Sequence, residues 1–244
     1  MSSLSSQATS LRRQDFHDGM RDGTPIALGY LVVSFTLGIV AHEASLQAGQ
    51  GFIASLFTIA SAGEYAGFAA IQNDAPYWEM ALLILVTNAR YMLMSCVLSQ
   101  KFAPHAPLYH RLGVGFGVTD EIFAITVRRK GMLSPWYFYG AMFVAIPPWA
   151  LGTSLGIWAG DVLPPSLSSA LSVALYGMFL AVIIPPGRYD RKILYLVLIS
   201  FALSFLASHA PYIASLSASM RTILLTVGIA SVAAFCCPVK EANL

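Results

Sequence analysis

Four ionisable side chains interrupt otherwise apolar stretches of this sequence, and their chemistry is the first clue to function. They are Glu64, Arg90, Asp120 and Glu121. A charge at the centre of a membrane helix costs about 2.5–3.5 kcal/mol on insertion scales, so such residues face a bundle interior or a wet cavity. A guanidinium can bind a carboxylate through two parallel hydrogen bonds, whereas a carboxylate can bind an ammonium group or carry a proton. We therefore expect a polar centre that binds a charged small molecule, moves a proton, or does both.

Helical geometry places three of these charges at similar depth. At a rise of 1.5 Å per residue, Glu64 lies about 12 Å from the predicted helix end at Gln72, and Asp120 lies about 12 Å from Arg128. Arg90, within "LILVTNARYMLMSCVL", can extend its stem toward the same level. The alternative is a structural ion pair of Arg90 with Glu64 or Asp120 that only fixes helix register, although apolar residues could replace such a pair.

The predicted site combines a carboxylate receptor with residues that orient a ligand. In this hypothesis Arg90 receives a carboxylate, since its planar fork suits bidentate recognition. One of Glu64 and Asp120 faces the ammonium group of the ligand while the other carries a proton, and the two roles can be exchanged. The predicted substrate-binding residues are Arg90, Asn88, Glu64, Tyr91 and Thr119. The predicted proton-coupling residues are Asp120, Glu64 and Glu121.

The composition identifies the elements that must position these residues as membrane helices. Of the 244 residues, 57% are hydrophobic and 11% are charged, against about 25% charged in a typical soluble domain. Apolar runs of spanning length recur along almost the whole chain. We predict a cytoplasmic N-terminal segment 1–23, a single transmembrane domain 24–238 and a cytoplasmic tail 239–244.

Hydropathy predicts an all-α integral membrane fold of about eight transmembrane helices. The fourth segment opens with "LYHRLGVGFGVTDE", which is rich in glycine and polar groups, so it either crosses the membrane or forms a re-entrant element. The predicted segments are 24–41, 51–72, 77–98, 108–127, 135–159, 168–187, 192–208 and 219–238.

The distribution of basic residues predicts that both termini are cytoplasmic, because cytoplasmic loops are enriched in Lys and Arg. With eight spans, the outside set is Lys101, Arg111 and Arg221. The larger inside set is Arg12, Arg13, Arg21, Arg128, Arg129, Lys130, Arg188, Arg191, Lys192 and Lys240.

Glycine and proline mark places where helices can unwind or pack closely. Gly63 permits close packing or local unwinding beside Glu64. Pro147 and Pro148 each remove a backbone donor, so we predict that they bend or break the fifth span near mid-membrane. A further glycine stripe at four-residue spacing suits tight packing within the chain or against a partner subunit, and it consists of Gly152, Gly156 and Gly160.

A short internal sequence similarity suggests three-helix repeats joined by the fourth span. "YAGFAAI" from Tyr65 and "YGMFLAVI" from Tyr176 share Y-x-x-F and then, after one further residue, Ala and a β-branched residue. An odd linker span would make the repeats parallel. Chance similarity between two apolar helices is the alternative.

Several other functions find no support in the sequence. It has no Walker-type glycine loop, G-x-S-x-G, H-E-x-x-H or C-x-x-C motif. The three cysteines, Cys96, Cys236 and Cys237, have no metal-ligand spacing and are typical of small apolar fillers in a reducing compartment. We expect no cofactor, no metal and no nucleic-acid partner, and we do not expect an enzyme.

Five stretches together resemble a known family. They are "TPIALGY", "SAGEYAGFAA", "TNARYMLMS", "VTDEIFAI" and "FLAVIIPP", and they resemble the AzlC family, the large subunit of branched-chain amino acid exporters of the LIV-E type. The resemblance runs from about residue 20 to residue 238. Its most specific parts are N-x-R-Y/H, here Asn88, Arg90 and Tyr91, and T-D-E-x-F, here Thr119, Asp120, Glu121 and Phe123.

The resemblance implies a permease of the bacterial inner membrane that exports Leu, Ile, Val or similar amino acids. It also implies a small AzlD-like partner subunit of about four spans. The second span departs from the family pattern A-G-x-x-Q-F, because Glu64 and Tyr65 follow Ala62 and Gly63, and Ala66 occupies the usual Gln position. The extra carboxylate would recognise a different solute or couple a proton.

The leading hypothesis is a proton-coupled secondary transporter of branched-chain or related amino acids with a site near the bilayer midplane. The alternative is a passive channel or a non-transporting subunit of a membrane complex. Uphill accumulation under a pH gradient separates them, since a channel cannot produce it.

Overall fold

The computed structural model describes residues 2–210, 213 and 216–236. Every regular element among these residues is an α-helix. The predicted tail 239–244, together with Cys237 and Lys240, lies outside the described residues. The helices are α1 (Ser2–Glu43), α2 (Ala48–Thr58), α3 (Ser61–Gln72), α4 (Tyr77–Thr87), α5 (Ala89–Lys101), α6 (Leu108–Phe116), α7 (Asp120–Val127), α8 (Pro135–Val162), α9 (Pro165–Tyr189), α10 (Arg191–His209) and α11 (Ala218–Cys236).

Helices α1 and α8 pack in parallel along their length and form the centre of the bundle. Gly19 lies against the backbone of Tyr137, and Gly38 lies against the backbone of Thr153, so the contacts advance along both helices in the same direction. A Cβ at either glycine would overlap the facing main chain, which shows how closely the two backbones approach. Buried residues such as Leu37 fill the rest of the interface.

The glycine stripe of α8 serves this packing, as one of the two sequence-based interpretations predicted. Gly152 contacts Ser34 and the backbone of α1, and Gly156 contacts the backbone of Phe35. Gly160 continues the stripe against His42. The stripe is therefore covered within the chain.

Of the two predicted effects of Pro147 and Pro148, a break in the helix is wrong, and a bend stays a prediction. Helix α8 continues through both prolines from Pro135 to Val162. Neighbouring helices and serine hydroxyls can satisfy the backbone groups that a proline leaves free. Here α1 packs along the proline region. The Ser34 hydroxyl donates a hydrogen bond to the Pro148 carbonyl at 3.4 Å, although the carbonyl groups that lose their donors are those of Phe143 and Val144, four residues before each proline.

One end of the bundle is held together by basic residues. Lys101 at the end of α5 donates hydrogen bonds to the carbonyl groups of Val127 at 2.6 Å and Arg129 at 2.8 Å. The Arg129 guanidinium lies 3.8 Å from the Asp15 carboxylate of α1. We name this end, marked by Asp15, Lys101 and Arg129, the basic end, and Glu43 at the end of α1 marks the opposite end.

Segment 108–127 enters the bundle from the basic end and returns to it. His110 near the start of α6 lies 3.0 Å from the Tyr139 hydroxyl in the first turns of α8, and the segment finishes at Val127 beside Lys101. A crossing would separate Lys101 and Val127 by about 30 Å. The predicted crossing is therefore wrong, and the re-entrant alternative agrees with these contacts.

Segment 51–72 enters the bundle from the opposite end and returns to that end. The prediction that it is a single span is therefore wrong. Helix α2 begins where the Ser154 hydroxyl of α8 donates to the Ala48 carbonyl at 2.9 Å. Helix α3 ends at Gln72, shortly before α4 begins at Tyr77. Helices α4 and α5, bent by 46° relative to each other, then lead from that end to Lys101 at the basic end.

By length and composition, four helices of the described chain can each cross a membrane, and the bent pair α4–α5 makes a fifth if it counts as one span. This supports the all-α membrane class but not the predicted count of eight. The orientation and the repeats stay predictions. Helix α1 is continuous across residue 23, where we had predicted a segment boundary. The four single candidates are Thr9–Glu43, Pro135–Val162, Arg191–His209 and Ala218–Cys236.

Candidate functional site

Two helix breaks meet at the middle of the bundle. The tip between α2 and α3 contributes Ile59 and Ser61, and the tip between α6 and α7 contributes Thr119, to one small pocket of about 30 Å³ that also contacts Tyr30 and Trp149. A third break, between α4 and α5, lies nearby. Short helices whose ends point at the middle of a membrane protein are a recurrent way to build a transport site.

Backbone geometry marks one of these breaks, and a side-chain cap marks another. Ile59, which is 4% exposed, has φ of 43° in the left-handed region, where a β-branched residue is an outlier. Such strained residues concentrate at functional sites. Thr119 caps α7, because its hydroxyl accepts a hydrogen bond from the Ile122 amide at 3.3 Å. Asp120 and Glu121 in the first turn of α7 are favourable beside the positive end of the helix dipole.

Arg90 and Asp120 form an ion pair in the wall of a large cavity. Their Nη2 and Oδ2 atoms are 2.8 Å apart, and the side chains are 38% and 33% exposed. The Arg90 guanidinium also donates to the Tyr91 hydroxyl at 3.2 Å. The structure therefore brings three of the predicted site residues together, from the two helices α5 and α7.

The cavity has a volume of about 940 Å³ and a polar patch in a mainly apolar wall. Arg90, Asp120 and Glu121 supply the charges. Small and apolar residues of five other helices supply most of the remaining surface. They include Pro25, Ile26, Ala62, Ala66, Ala69, Ala70, Leu83, Phe179, Ile183 and Ala218.

Tyr30 connects two further predicted residues, and sequence reasoning missed it. Its hydroxyl lies 2.6 Å from Thr119 Oγ1 and 2.7 Å from Glu121 Oε2. Donation to the carboxylate leaves the tyrosine oxygen free to accept from the threonine. Its ring packs edge-on against Trp149 with centroids 5.0 Å apart. Tyr30 thus fixes the start of α7, and with it Asp120, against α1.

Glu64 is 2% exposed and lies apart from the ion pair, contrary to the prediction that it shares the site of Arg90. Its carboxylate accepts hydrogen bonds from the Ser55 hydroxyl, from Trp149 Nε1 at 2.8 Å and from the Thr153 hydroxyl at 3.3 Å. Glu64 does not line the large cavity as formed by the described residues. Its burial in a separate network of neutral donors explains the difference.

Sequence reasoning missed the three donors around Glu64 for a simple reason. Ser55, Trp149 and Thr153 are common residues in apolar helices, and each lies on a different part of the chain from Glu64. Nothing in a single sequence connects α2, α3 and α8. The one available signal was a hydroxyl residue, Ser55, shortly before the glutamate.

Asn88 occupies the break between α4 and α5 and is both C-cap and N-cap. Its amide group packs directly on Gly63 of α3. Asn88 Oδ1 and Arg90 Nε are both buried, and neither has a hydrogen-bond partner among the described residues. Such groups are costly, so this break is the part of the site with most to gain from a bound polar ligand.

Comparison with known proteins identifies the family of the chain. The family model described as "AzlC protein" matches residues 25–163, which is more than half of the chain. The chain belongs to the AzlC family. The matched part includes Tyr30, Glu64, Arg90, Asp120 and both helix tips, so the polar centre lies within the family domain.

Two curated relatives are membrane proteins of a bacterium and an archaeon. An "Uncharacterized membrane protein" of Archaeoglobus fulgidus is 29% identical over 181 residues, which cover 72% of this chain and 78% of the relative. The "Inner membrane protein YgaZ" of Escherichia coli is 24% identical over 184 residues, which cover 72% of this chain and 74% of the relative. No solved structure matches the chain significantly.

Proposed function

We propose that this AzlC-family membrane protein is a proton-coupled secondary transporter of branched-chain or related amino acids. The observation that carries the proposal is the Arg90–Asp120 pair, whose charged atoms are 2.8 Å apart in the wall of a 940 Å³ cavity. A free amino acid carries the same two charges. It can therefore replace each partner of the pair with one of its own groups.

Substrate binding would exchange one ion pair for two. The substrate carboxylate binds Arg90 and its ammonium group binds Asp120, while Tyr91 and Asn88 support the guanidinium side. Both charged side chains are about one-third exposed, so the pair is accessible from the cavity and gains little from its own Coulomb attraction. The apolar wall then receives the aliphatic side chain.

Glu64 would carry the coupled proton. Its contacts with Ser55, Trp149 and Thr153 are hydrogen bonds from neutral groups. A buried carboxylate of this kind can gain or lose a proton without breaking an ion pair, and intramembrane carboxylates are common proton relays. In this arrangement Arg90 and Asp120 bind the substrate, and Glu64 carries the proton.

We further propose that the basic end faces the cytoplasm and that the protein lies in the inner membrane. Lys101 lies at the basic end, and Arg111 lies near it, with its guanidinium 3.4 Å from the Ser99 carbonyl. Two cations that the eight-span count placed outside therefore join Arg129 on one side. A larger excess of Lys and Arg on that side strengthens the inside assignment.

The test is uptake of labelled leucine into proteoliposomes of the purified protein under an imposed pH gradient. Uphill accumulation that collapses with a protonophore supports the transporter. Downhill flux alone would indicate a passive channel. Absence of flux that appears when a small AzlD-like subunit is added would show that the transporter is a complex of two subunits, while absence in both cases would indicate a non-transporting subunit.

A further inference from the structure

We propose that an alanine face of α3, formed by Ala62, Ala66 and Ala69, sets the size of the substrate side chain that the cavity accepts. The inference rests on the proposed function and adds the part of the site that selects among neutral amino acids. The three alanines line the cavity together. Their spacing of four and three residues places them on one face of the helix.

The alanine face begins at the level of the charged pair and leads away from it. Gly63 of α3 packs against the side chain of Asn88, which is two residues from Arg90. At 1.5 Å per residue, Ala66 lies about 6 Å beyond Ala62 along the helix, and Ala69 lies about 10 Å beyond it. A substrate whose carboxylate and ammonium groups are held at Arg90 and Asp120 therefore directs its side chain along this face.

The described residues of α9 contribute a second, apolar wall. Phe179 and Ile183 of α9 line the same cavity. Tyr65 supports this wall, since its ring lies 5.9 Å from the Phe179 ring and 6.0 Å from the Tyr176 ring. The two tyrosine hydroxyls are 2.7 Å apart. Tyr65 is thus a positioning residue that holds the wall, and the alanines are the part of the pocket that leaves space.

The space between these walls favours a large apolar side chain. The volume of 940 Å³ is near the upper end of the range of about 300–1,000 Å³ for small-molecule sites. A methylene group added to or removed from an apolar pocket changes discrimination by about 10-fold to 200-fold. The total volume exceeds what one amino acid needs, so selection depends on the space along the alanine face next to the anchored charged groups. Larger residues on that face should exclude leucine and still admit alanine.

The experiment compares two variants with one matched control. Ala66→Leu and Ala69→Leu each extend the alanine face into the cavity. Ala81→Leu makes the same change on α4, where Ala81 is exposed and does not line the cavity. Each protein is purified, checked by size-exclusion chromatography, and assayed for binding of labelled L-leucine and labelled L-alanine.

We expect Ala66→Leu or Ala69→Leu to weaken leucine binding by at least about tenfold with alanine binding unchanged, and Ala81→Leu to bind both as the wild type does. The inference is overturned if every variant that elutes as a folded species keeps the wild-type ratio of leucine to alanine affinity. In that case wild-type binding of leucine still stands, and so does the proposed function. If the wild type binds neither amino acid, the proposed function and this inference both fail.

Discussion

Replacement of Gly63 by alanine tests the contact that positions the break between α4 and α5. A Cβ built on Gly63 would stand 2.5 Å from both Nδ2 and Oδ1 of the Asn88 side chain, well inside van der Waals contact. Gly67, one turn later on α3, is the matched control, because its Cβ would meet only Ile84 Cδ1 at 3.5 Å. The same added methyl group therefore overlaps a neighbouring side chain at Gly63 and makes an ordinary van der Waals contact at Gly67.

The expected difference in stability follows from two opposing effects. Overpacking a well-packed site costs about 1–3 kcal/mol. Alanine in place of glycine in a helix gains about 0.5–1 kcal/mol, and this gain is full for Gly67 and smaller for Gly63 in the first turn. Gly67→Ala should thus be at least as stable as the wild type, and Gly63→Ala should be less stable than Gly67→Ala by about 1–3 kcal/mol.

Thermal unfolding of the purified variants in detergent measures this difference. For a chain of this size, 1 kcal/mol corresponds to about 2–4 °C in Tm, so the two variants should differ by several degrees. Adding Asn88→Ala should remove most of the penalty of Gly63→Ala, because the crowding group is gone. The reasoning is refuted if Gly63→Ala melts at the same temperature as Gly67→Ala, or if Asn88→Ala does not rescue it.

Three other predictions test the proton site, the helix packing and the path of the chain. Glu64→Gln keeps hydrogen-bonding groups but cannot exchange a proton. Leucine counterflow in proteoliposomes should therefore persist, while pH-driven accumulation is lost. Intact accumulation would show that Glu64 does not couple transport to protons. Gly156→Ala should lower the Tm, because the added Cβ meets the α1 backbone. Gly228→Ala should leave the Tm unchanged, because a Cβ added there meets no atom of the described residues within 4 Å. Equal Tm values would contradict the packing described. In a background with the three native cysteines replaced by serine, Lys101→Cys should react with an impermeant maleimide from the cytoplasmic side and Arg221→Cys from the other side. Labelling of both from one side would contradict the path proposed.

The sequence was sufficient to predict the class of fold and the main charged pair. Composition and the lengths of the apolar runs indicated membrane helices, and the cost of a buried charge required Arg90 to find a partner. Asp120 was one of the two partners considered, and it is the one that the structure places at 2.8 Å. The packing role of the glycine stripe of α8 could also be predicted, because close approach of two helices needs small residues.

The sequence could not show where helices stop in mid-membrane. Hydropathy averages over a window, so the breaks at Ile59 and Asn88 were hidden inside apolar runs. The two prolines of α8 instead suggested a break in a helix that is continuous. The composition of segment 108–127 left both a crossing and a re-entrant path open, and the contacts of His110 with Tyr139 and of Lys101 with Val127 distinguish them. The position of Glu64 depended on two long-range partners, Trp149 and Thr153, and on Ser55 across a helix break, which no local pattern specifies.

Binding of labelled leucine to purified Arg90→Gln, compared with the wild type, measures what the Arg90 guanidinium contributes to substrate recognition. Hydrogen bonds to charged groups contribute about 1.5–3 kcal/mol, so the account predicts that leucine affinity falls by at least about tenfold while the variant remains folded by size-exclusion chromatography. Wild-type affinity in Arg90→Gln would contradict the assignment of Arg90 as the receptor of the substrate carboxylate.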